Sequence, residues 1–132
     1  MKRVSEVSKI TGISRRTLQY YDDEGLMSVR RSTNNYRLYD EEAMERLWQI
    51  LVYREMDFKL REIQYVLELT EEKQKKYLGQ KIQEIDCQMK NLHEQREFIK
   101  RIRNKGMPSR PETYKNAGKT YVEYIAEIKR TI

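Results

Sequence analysis

The sequence has little of what secreted domains and membrane proteins ordinarily carry. Its 132 residues include one cysteine, two prolines and five glycines. The single cysteine, Cys87, excludes an internal disulfide and a cysteine-rich metal cluster. No apolar run approaches the roughly 20 residues that cross a bilayer, and the first residues lack the apolar core of a signal peptide. We therefore expect a cytoplasmic protein that does not contact a membrane.

Signatures of catalysis and of cofactor binding are also missing from the sequence. There is no Gly-rich phosphate loop and no nucleophile with a convincing base nearby. His93, the one histidine, has no second metal ligand beside it, and Cys87 falls in the middle of a predicted helix. The sequence therefore predicts neither an enzyme nor a protein with a cofactor or a metal site.

What the chain has in abundance is charge, with 27 Lys and Arg against 21 Asp and Glu and a formal net charge of +6. The charge is unevenly distributed. Residues 1–39 carry eight basic and four acidic groups, whereas residues 40–70 carry four and eight. A locally basic segment is the electrostatic pattern expected of a nucleic-acid-binding surface.

Two short helices joined by a tight turn are predicted at the start of the chain. Apolar residues three apart predict a helix over residues 4–11, which Gly12 ends. Ser14 is a typical N-cap, and a second helix is predicted from 15 to 24, before Gly25. This arrangement is typical of a helix-turn-helix.

A β-hairpin and two further helices are predicted next. Asn34 and Asn35 tolerate a positive φ and are suited to the tip of a hairpin within residues 27–39. Asp40 is a typical N-cap for a third helix. A break around residues 56–59 separates it from a fourth helix.

A long helix is predicted over residues 71–103, with Thr70 as its N-cap. Steps of four and three alternate along it, which is the heptad pattern of a coiled coil. A polar helix about 50 Å long with one apolar stripe needs a partner helix, and we expect a second copy of the chain. The predicted dimer interface, called the seam below, is Leu78, Ile82, Ile85, Met89, Leu92, Arg96 and Ile99.

Candidate DNA-binding side chains concentrate on the second helix and the hairpin. The second helix of a helix-turn-helix enters the major groove with its N-terminal residues nearest the bases. Arginine bonds guanine and glutamine bonds adenine, while tyrosine hydroxyls reach phosphates. The candidates are Ser14, Arg15, Arg16, Thr17, Gln19, Tyr20 and Tyr21 on the helix, and Arg31, Tyr36, Arg37 and Tyr39 on the hairpin.

These residues resemble the MerR family of bacterial transcription regulators. The resemblance is close over residues 1–70 and is carried by several segments in the same order and spacing: residues 4–14, 16–22, 24–26 and 35–39. It implies a mainly α fold with a winged helix-turn-helix, a small β-hairpin wing, a long antiparallel coiled-coil dimerisation helix and a short C-terminal helical tail.

The resemblance also implies roles for individual residues. Arg16, Tyr20 and Tyr21 would contact DNA from the recognition helix, and Tyr36, Arg37 and Tyr39 would contact it from the wing or brace the wing. Phe58 and Lys59 would belong to a second wing, with Lys59 facing the DNA backbone. The chain departs from the family at Gln19, where Arg is usual, and at Asn35 and Asp57, where Gly is usual.

Family members bind promoters with an over-long spacer and distort it in response to an effector, so that RNA polymerase can engage. The resemblance thus implies a homodimeric, sequence-specific regulator of double-stranded DNA with inverted-repeat half-sites. Repression alone remains open. So do a DNA-architectural or recombination accessory protein of the excisionase type, and a protein-interaction module that uses the coil.

The sequence predicts three segments: a DNA-binding domain at 1–70, a dimerisation helix at 71–103 and a tail at 104–132. The tail is too short for a separate ligand-binding domain. Its apolar residues either pack on the coil or on the partner's DNA-binding domain, or dock a regulatory protein, or line an effector pocket for a small lipophilic molecule. The candidates for that pocket are Tyr114, Tyr121, Tyr124 and Ile125.

Overall fold

The computed structural model describes residues 1–112 and 118–131. It confirms the predicted fold class, with a helical chain, a small hairpin, one long helix and a short C-terminal helix. The elements in chain order are β1 (Lys2–Arg3), α1 (Val4–Thr11), α2 (Arg15–Asp23), β2 (Arg30–Arg31), β3 (Arg37–Tyr39), α3 (Glu41–Glu55), α4 (Leu60–Leu67), α5 (Glu71–Lys105) and α6 (Tyr121–Arg130).

The predicted helix caps are confirmed. Ser14 and Asp40 each accept a hydrogen bond from the backbone N–H three residues on, at 3.1 and 2.8 Å. Thr70 does the same for α5 at 3.4 Å. Gly12 ends α1 with a φ of 75°, a left-handed conformation that suits glycine because it has no Cβ. Local side-chain chemistry therefore fixes where these helices begin and end.

The three strands form one antiparallel sheet in the order β1-β3-β2. β2 and β3 are the predicted hairpin, called the wing below, and Asn35 near its tip has a φ of 64°. β1 was not predicted: it pairs Lys2 with Tyr39 and Arg3 with Leu38. The wing is thus hydrogen-bonded on its inner edge to the start of the chain.

A single apolar cluster supports the N-terminal elements. α2 contributes Leu18 and Tyr21 to the core, whereas Arg15 and Arg16 in its first turn are exposed, with Arg16 on the face opposite Leu18. Fully burying one large apolar side chain stabilises the fold by about 1.5–3 kcal/mol. The cluster is Val7, Leu18, Tyr21, Leu26, Met27, Tyr39, Ala43, Leu47, Ile50 and Ile63.

The chain divides into two compact units, Met1–Tyr77 and Leu78–Ile132, and α5 continues through the boundary. In the second unit, Arg101 on α5 donates hydrogen bonds to the carbonyl of Ile128, at 3.4 Å, and to Oγ1 of Thr131, at 2.7 Å. Within the residues that the structure describes, no helix combines the length and the apolar character that a membrane span requires.

Candidate nucleic-acid interface

The N-terminal half of α2 presents uncompensated positive charge to solvent. Arg15 and Arg16 are exposed, and no described carboxylate forms an ion pair with either of them. The first turn of α2 contains no acidic residue, so the partial positive charge of the helix N-terminus adds to the two arginines. Tyr20, one turn on, is also exposed. This surface attracts anions such as phosphates.

Three other predicted DNA-binding residues, Ser14, Thr17 and Gln19, are hydrogen-bonded within the protein or half-buried. The Ser14 hydroxyl donates to Oγ1 of Thr17 at 2.9 Å while it caps the helix. Thr17 and Gln19 are half-buried. Ser14 and Thr17 therefore fix the first turn of α2, and Gln19 lies at the edge of the exposed face.

Tyr21 lies on the core side of α2. The guanidinium of Arg54 lies 6.0 Å from the centre of its ring. Burial raises the pKa of the Tyr21 hydroxyl, and Arg54 partly opposes this effect. The position of the ring anchors α2 to the hydrophobic cluster.

The wing is fastened to the C-terminal end of α2 by Arg37. Its Nε donates to Asp22 at 2.9 Å, and a terminal nitrogen donates to Asp23 at 3.1 Å. The hydrogen bond to Asp22 is the main cause of the raised pKa of Arg37. Arg31 lies 3.8 Å from the same Asp22 carboxylate but is more exposed. Arg37 is therefore a brace between two elements, and Arg31 remains on the surface.

The outer side of the wing carries an exposed aromatic ring beside a cation. The guanidinium of Arg3, on β1, lies 4.7 Å from the centre of the Tyr36 ring. Cations attract the face of an aromatic ring. Sequence reasoning missed Lys2 and Arg3 as part of this surface, because a two-residue strand before a helix has no alternation to reveal it.

Tyr39 lies within the core beneath the wing. Its side chain is only 1% exposed, and its hydroxyl has no hydrogen-bond partner among the described residues. Burial raises the pKa of this hydroxyl. As the side chain stands, Tyr39 supports the wing from below and does not reach the surface.

The loop between α3 and α4, the predicted second wing, is held by aromatic packing. Phe58 stacks on Tyr53, with ring centres 5.6 Å apart, and meets Tyr77 edge-on at 6.1 Å. Asp57 adopts a φ of 60°. Lys59 is exposed beside this cluster. Its ammonium group is therefore free to approach a phosphate while its backbone is fixed.

The sequence comparisons identify the family. The profile described as "MerR HTH family regulatory protein" matches residues 2–70, which contain α1, α2, the wing, α3 and α4. The chain belongs to the MerR family.

Two MerR-type relatives from Bacillus subtilis match the same region. The HTH-type transcriptional regulator CueR is 39% identical over 66 residues, which are 50% of this chain and 46% of that protein. The HTH-type transcriptional activator mta is 42% identical over 67 residues, which are 50% of this chain and 26% of that protein. The chain thus matches less than half of the length of either relative.

The likeness to solved structures covers more of the chain than the 69 residues of the family match. The crystal structure of MtaN, the N-terminus of the Bacillus subtilis multidrug transporter activator, is 33% identical with a TM-score of 0.52. The matched region covers 70% of this chain and 95% of the MtaN chain. A MerR-family regulator from Bacillus cereus has the same TM-score at 20% identity, over 98% of this chain and 94% of its own, and shows the fold alone.

The seam of this MerR-family chain is open to solvent. Its residues from Ile82 to Ile99 are exposed, and Met89 and Leu92 are 63% and 62% accessible. Arg96, within the same stripe, is 67% exposed. Large apolar side chains in a regular stripe are the usual mark of an interface. The interface itself remains a prediction.

The predicted effector pocket also remains a prediction. Tyr114 lies outside the described residues. Tyr121 and Ile125 are exposed, and the Tyr124 hydroxyl is buried without a hydrogen-bond partner among the described residues. A cleft between α5 and α6 is lined by other side chains, most of them charged: His93, Glu94, Glu97, Ala126, Lys129 and Arg130.

No metal-binding cluster of His, Cys, Asp or Glu is found in the part of the chain that the structure describes. Cys87 is exposed.

Proposed function

We propose that this chain is a sequence-specific, DNA-binding transcription regulator that acts as a homodimer on inverted-repeat half-sites. The observation that carries the proposal is the surface formed by Arg15, Arg16 and Tyr20. It is basic, unpaired and placed at the N-terminal half of a helix whose other face is locked into the core. The family membership supports this function.

The side chains divide into contacting and positioning groups. Arg15, Arg16 and Gln19 would read base edges, because guanidinium and amide groups match guanine and adenine. Tyr20, Tyr36, Arg31 and Lys59 would contact phosphates. The remaining predicted residues, Ser14, Thr17, Tyr21, Arg37 and Tyr39, would hold α2 and the wing in place.

The seam would join two copies, so that two recognition helices meet two half-sites related by the same two-fold symmetry. We further propose that the dimer distorts the promoter spacer in response to a small-molecule or protein effector and so admits RNA polymerase. Distortion makes the energy of binding depend on the deformability of bases that the protein does not touch.

The first test is selection from a random duplex DNA pool at near-physiological salt, followed by sequencing. Enrichment of an inverted repeat is the expected result. An Arg16→Ala variant should lose about tenfold or more in affinity for the selected site, since one good arginine–guanine pair is worth about 1–3 kcal/mol. Lys90→Ala, which removes an exposed cation from α5, is the matched control and should bind like the parent.

The outcomes separate the alternatives. Binding without any enriched sequence would overturn the proposal in favour of a DNA-architectural protein of the excisionase type. No binding at all would favour a protein-interaction module built on the coil.

A role for the tail in effector binding has its own test. Thermal unfolding is measured with a panel of small lipophilic aromatic compounds, for the parent and for Ile125→Asp. If Tyr121, Tyr124 and Ile125 line a pocket, a compound that stabilises the parent should not stabilise the variant. Equal stabilisation of both proteins would argue that the tail only packs.

A further inference from the structure

The seam of α5 faces away from the rest of its own unit. α6 contacts α5 through Arg101, and Glu94 and Glu97 line the cleft between the two helices. In the heptad these three residues lie on the side opposite the seam. α6 therefore covers one side of α5. The apolar side, where Leu92 and Ile99 are exposed, is free to pack against another helix.

We propose that the seam binds the seam of a second copy in one antiparallel register, fixed by an ion pair between Arg96 and the partner's Asp86. This inference rests on the homodimer proposed above and names its alignment. The facing pairs would be Ile82 with the partner's Ile99, Ile85 with the partner's Arg96, and Met89 with the partner's Leu92, each occurring twice by symmetry. Leu78, at the end of the seam, would pack on the aliphatic part of the partner's Arg103.

The heptad positions place the two charges together. Arg96 occupies an a position and Asp86 an e position, counted from Ile82 as a. In an antiparallel pair an a residue faces a d residue, and the e residue that follows it lies on the same side of the interface. When Arg96 faces the partner's Ile85, the partner's Asp86 is therefore its immediate neighbour.

Both charges are available for this contact. Asp86 is exposed and forms no ion pair with any other described residue. The carboxylate nearest to Arg96 is that of Glu97, its neighbour in the sequence, 3.8 Å away. An arginine within an apolar seam is costly to bury unless an acid compensates it. Arg96, the one charged residue of the seam, would therefore favour the register in which an acidic residue of the partner lies beside it.

The alternative registers, one heptad away in either direction, do not compensate Arg96. In one of them Arg96 faces Leu78 with Gly79 beside it, and Asp86 meets its own copy. In the other, Arg96 faces Leu92 with His93 beside it, and Ile82 faces a position beyond Lys105, where α5 ends. Like charges and unpaired apolar residues both weaken a coiled coil.

A charge swap tests the register in the full chain. Sedimentation equilibrium would compare the parent with Arg96→Glu, Asp86→Lys and the double variant. Each single change places like charges together and should raise the dimer Kd by about tenfold or more, whereas the double variant should return to within about threefold of the parent. Lys90→Glu, a charge reversal outside the seam, should leave the Kd unchanged.

Failure of the register and failure of the dimer give different results. A dimeric parent whose double variant is no better than the worse single variant would overturn the register and leave the homodimer standing. A parent that stays monomeric at every accessible concentration would overturn the homodimer itself, and the register with it.

Cross-linking provides a second measurement that does not depend on charge. In a Cys87→Ser background, the pair Ile82→Cys and Ile99→Cys should give covalent dimers with a short bis-maleimide. The pair Ile85→Cys and Arg103→Cys, which would face each other one heptad away, should not, because in the proposed register neither cysteine lies near either cysteine of the partner. Within one chain the two cysteines of a pair are about 25 Å apart for 82 and 99 and about 27 Å apart for 85 and 103, too far for a short linker. The reverse preference would overturn the proposed register.

Discussion

At the scale of single residues, burial separates side chains that look equivalent in the sequence. Tyr20 and Tyr36 are exposed, whereas Tyr21 and Tyr39 are buried in the core. Adjacent residues on a helix or strand point in different directions, so a run of tyrosines and arginines cannot all face DNA. Residue type therefore predicted which residues belong to the candidate site. It did not predict which of them are exposed and can contact DNA and which are buried and support the fold.

Replacing Tyr39 with Phe tests this division. The buried hydroxyl has no hydrogen-bond partner among the described residues, so its removal should stabilise the fold by about 1 kcal/mol. DNA affinity should stay unchanged if Tyr39 only supports the wing. Urea unfolding and DNA titration of the same variant provide both values. A marked loss of affinity in a stable variant would instead show that the hydroxyl reaches DNA.

The two buried tyrosines also predict an alkaline limit to stability. Burial raises the pKa of Tyr21 and of Tyr39 above the ordinary value of about 10, which favours the neutral form in the folded state. Their contribution is fully present below pH 10 or so and is lost as the pH rises through the raised values. Unfolding free energies at pH 8–11 should fall less steeply in the Tyr39→Phe variant than in the parent. Identical slopes would contradict this assignment.

Arg37 is expected to matter for stability far more than Arg30, although both are wing arginines. The Arg37 side chain is 17% exposed and its partner Asp22 16%, whereas Arg30, 3.2 Å from Asp40, is 68% exposed. Arg37→Ala removes the nearest cation from both Asp22 and Asp23, with only Arg31 left near Asp22, and should cost about 1–3 kcal/mol. Arg30→Ala should cost less than about 0.5 kcal/mol, because exposed pairs contribute little. Equal losses in chemical unfolding would contradict the bracing role.

At the scale of elements, the helices were predictable because their signals are local. Ser14, Asp40 and Thr70 each satisfy backbone N–H groups within their own first turn, and apolar spacing marks each helix. β1 was not predictable, because it exists only through pairing with a strand more than thirty residues away. The same holds for the contact between Arg3 and Tyr36.

At the scale of the whole molecule, the heptad pattern predicted a long helix but not what covers it. Leu92 is exposed in the single chain, so the assembly depends on an interaction that no element of this chain supplies. Whether the tail packs or binds an effector could not be predicted from the sequence either, because apolar residues such as Tyr121 and Ile125 on a short helix suit both roles.

Dimer formation through the seam should be coupled to DNA binding. Leu92→Asp places two like charges in the seam and should weaken binding to a selected inverted repeat by about a hundredfold or more, since one half-site contact is lost. The helical content should be largely retained, as judged by circular dichroism. Lys90→Asp, outside the seam, serves as the control. Unchanged affinity of the seam variant would mean that single chains suffice.

Asp22 has a further consequence for the thermodynamics of DNA binding. This carboxylate already neutralises Arg37 and lies near Arg31. It therefore occupies the position beside these arginines that a DNA phosphate would otherwise take. An arginine that leaves this carboxylate for a phosphate still releases a cation from the duplex, but the freed carboxylate attracts a cation in its place, so the net release of counterions is smaller. The salt dependence should therefore count the free cations and not all the basic residues of the surface. Asp22→Asn should steepen the slope of log binding constant against log salt concentration by about one unit in total, because a single carboxylate compensates a single positive charge.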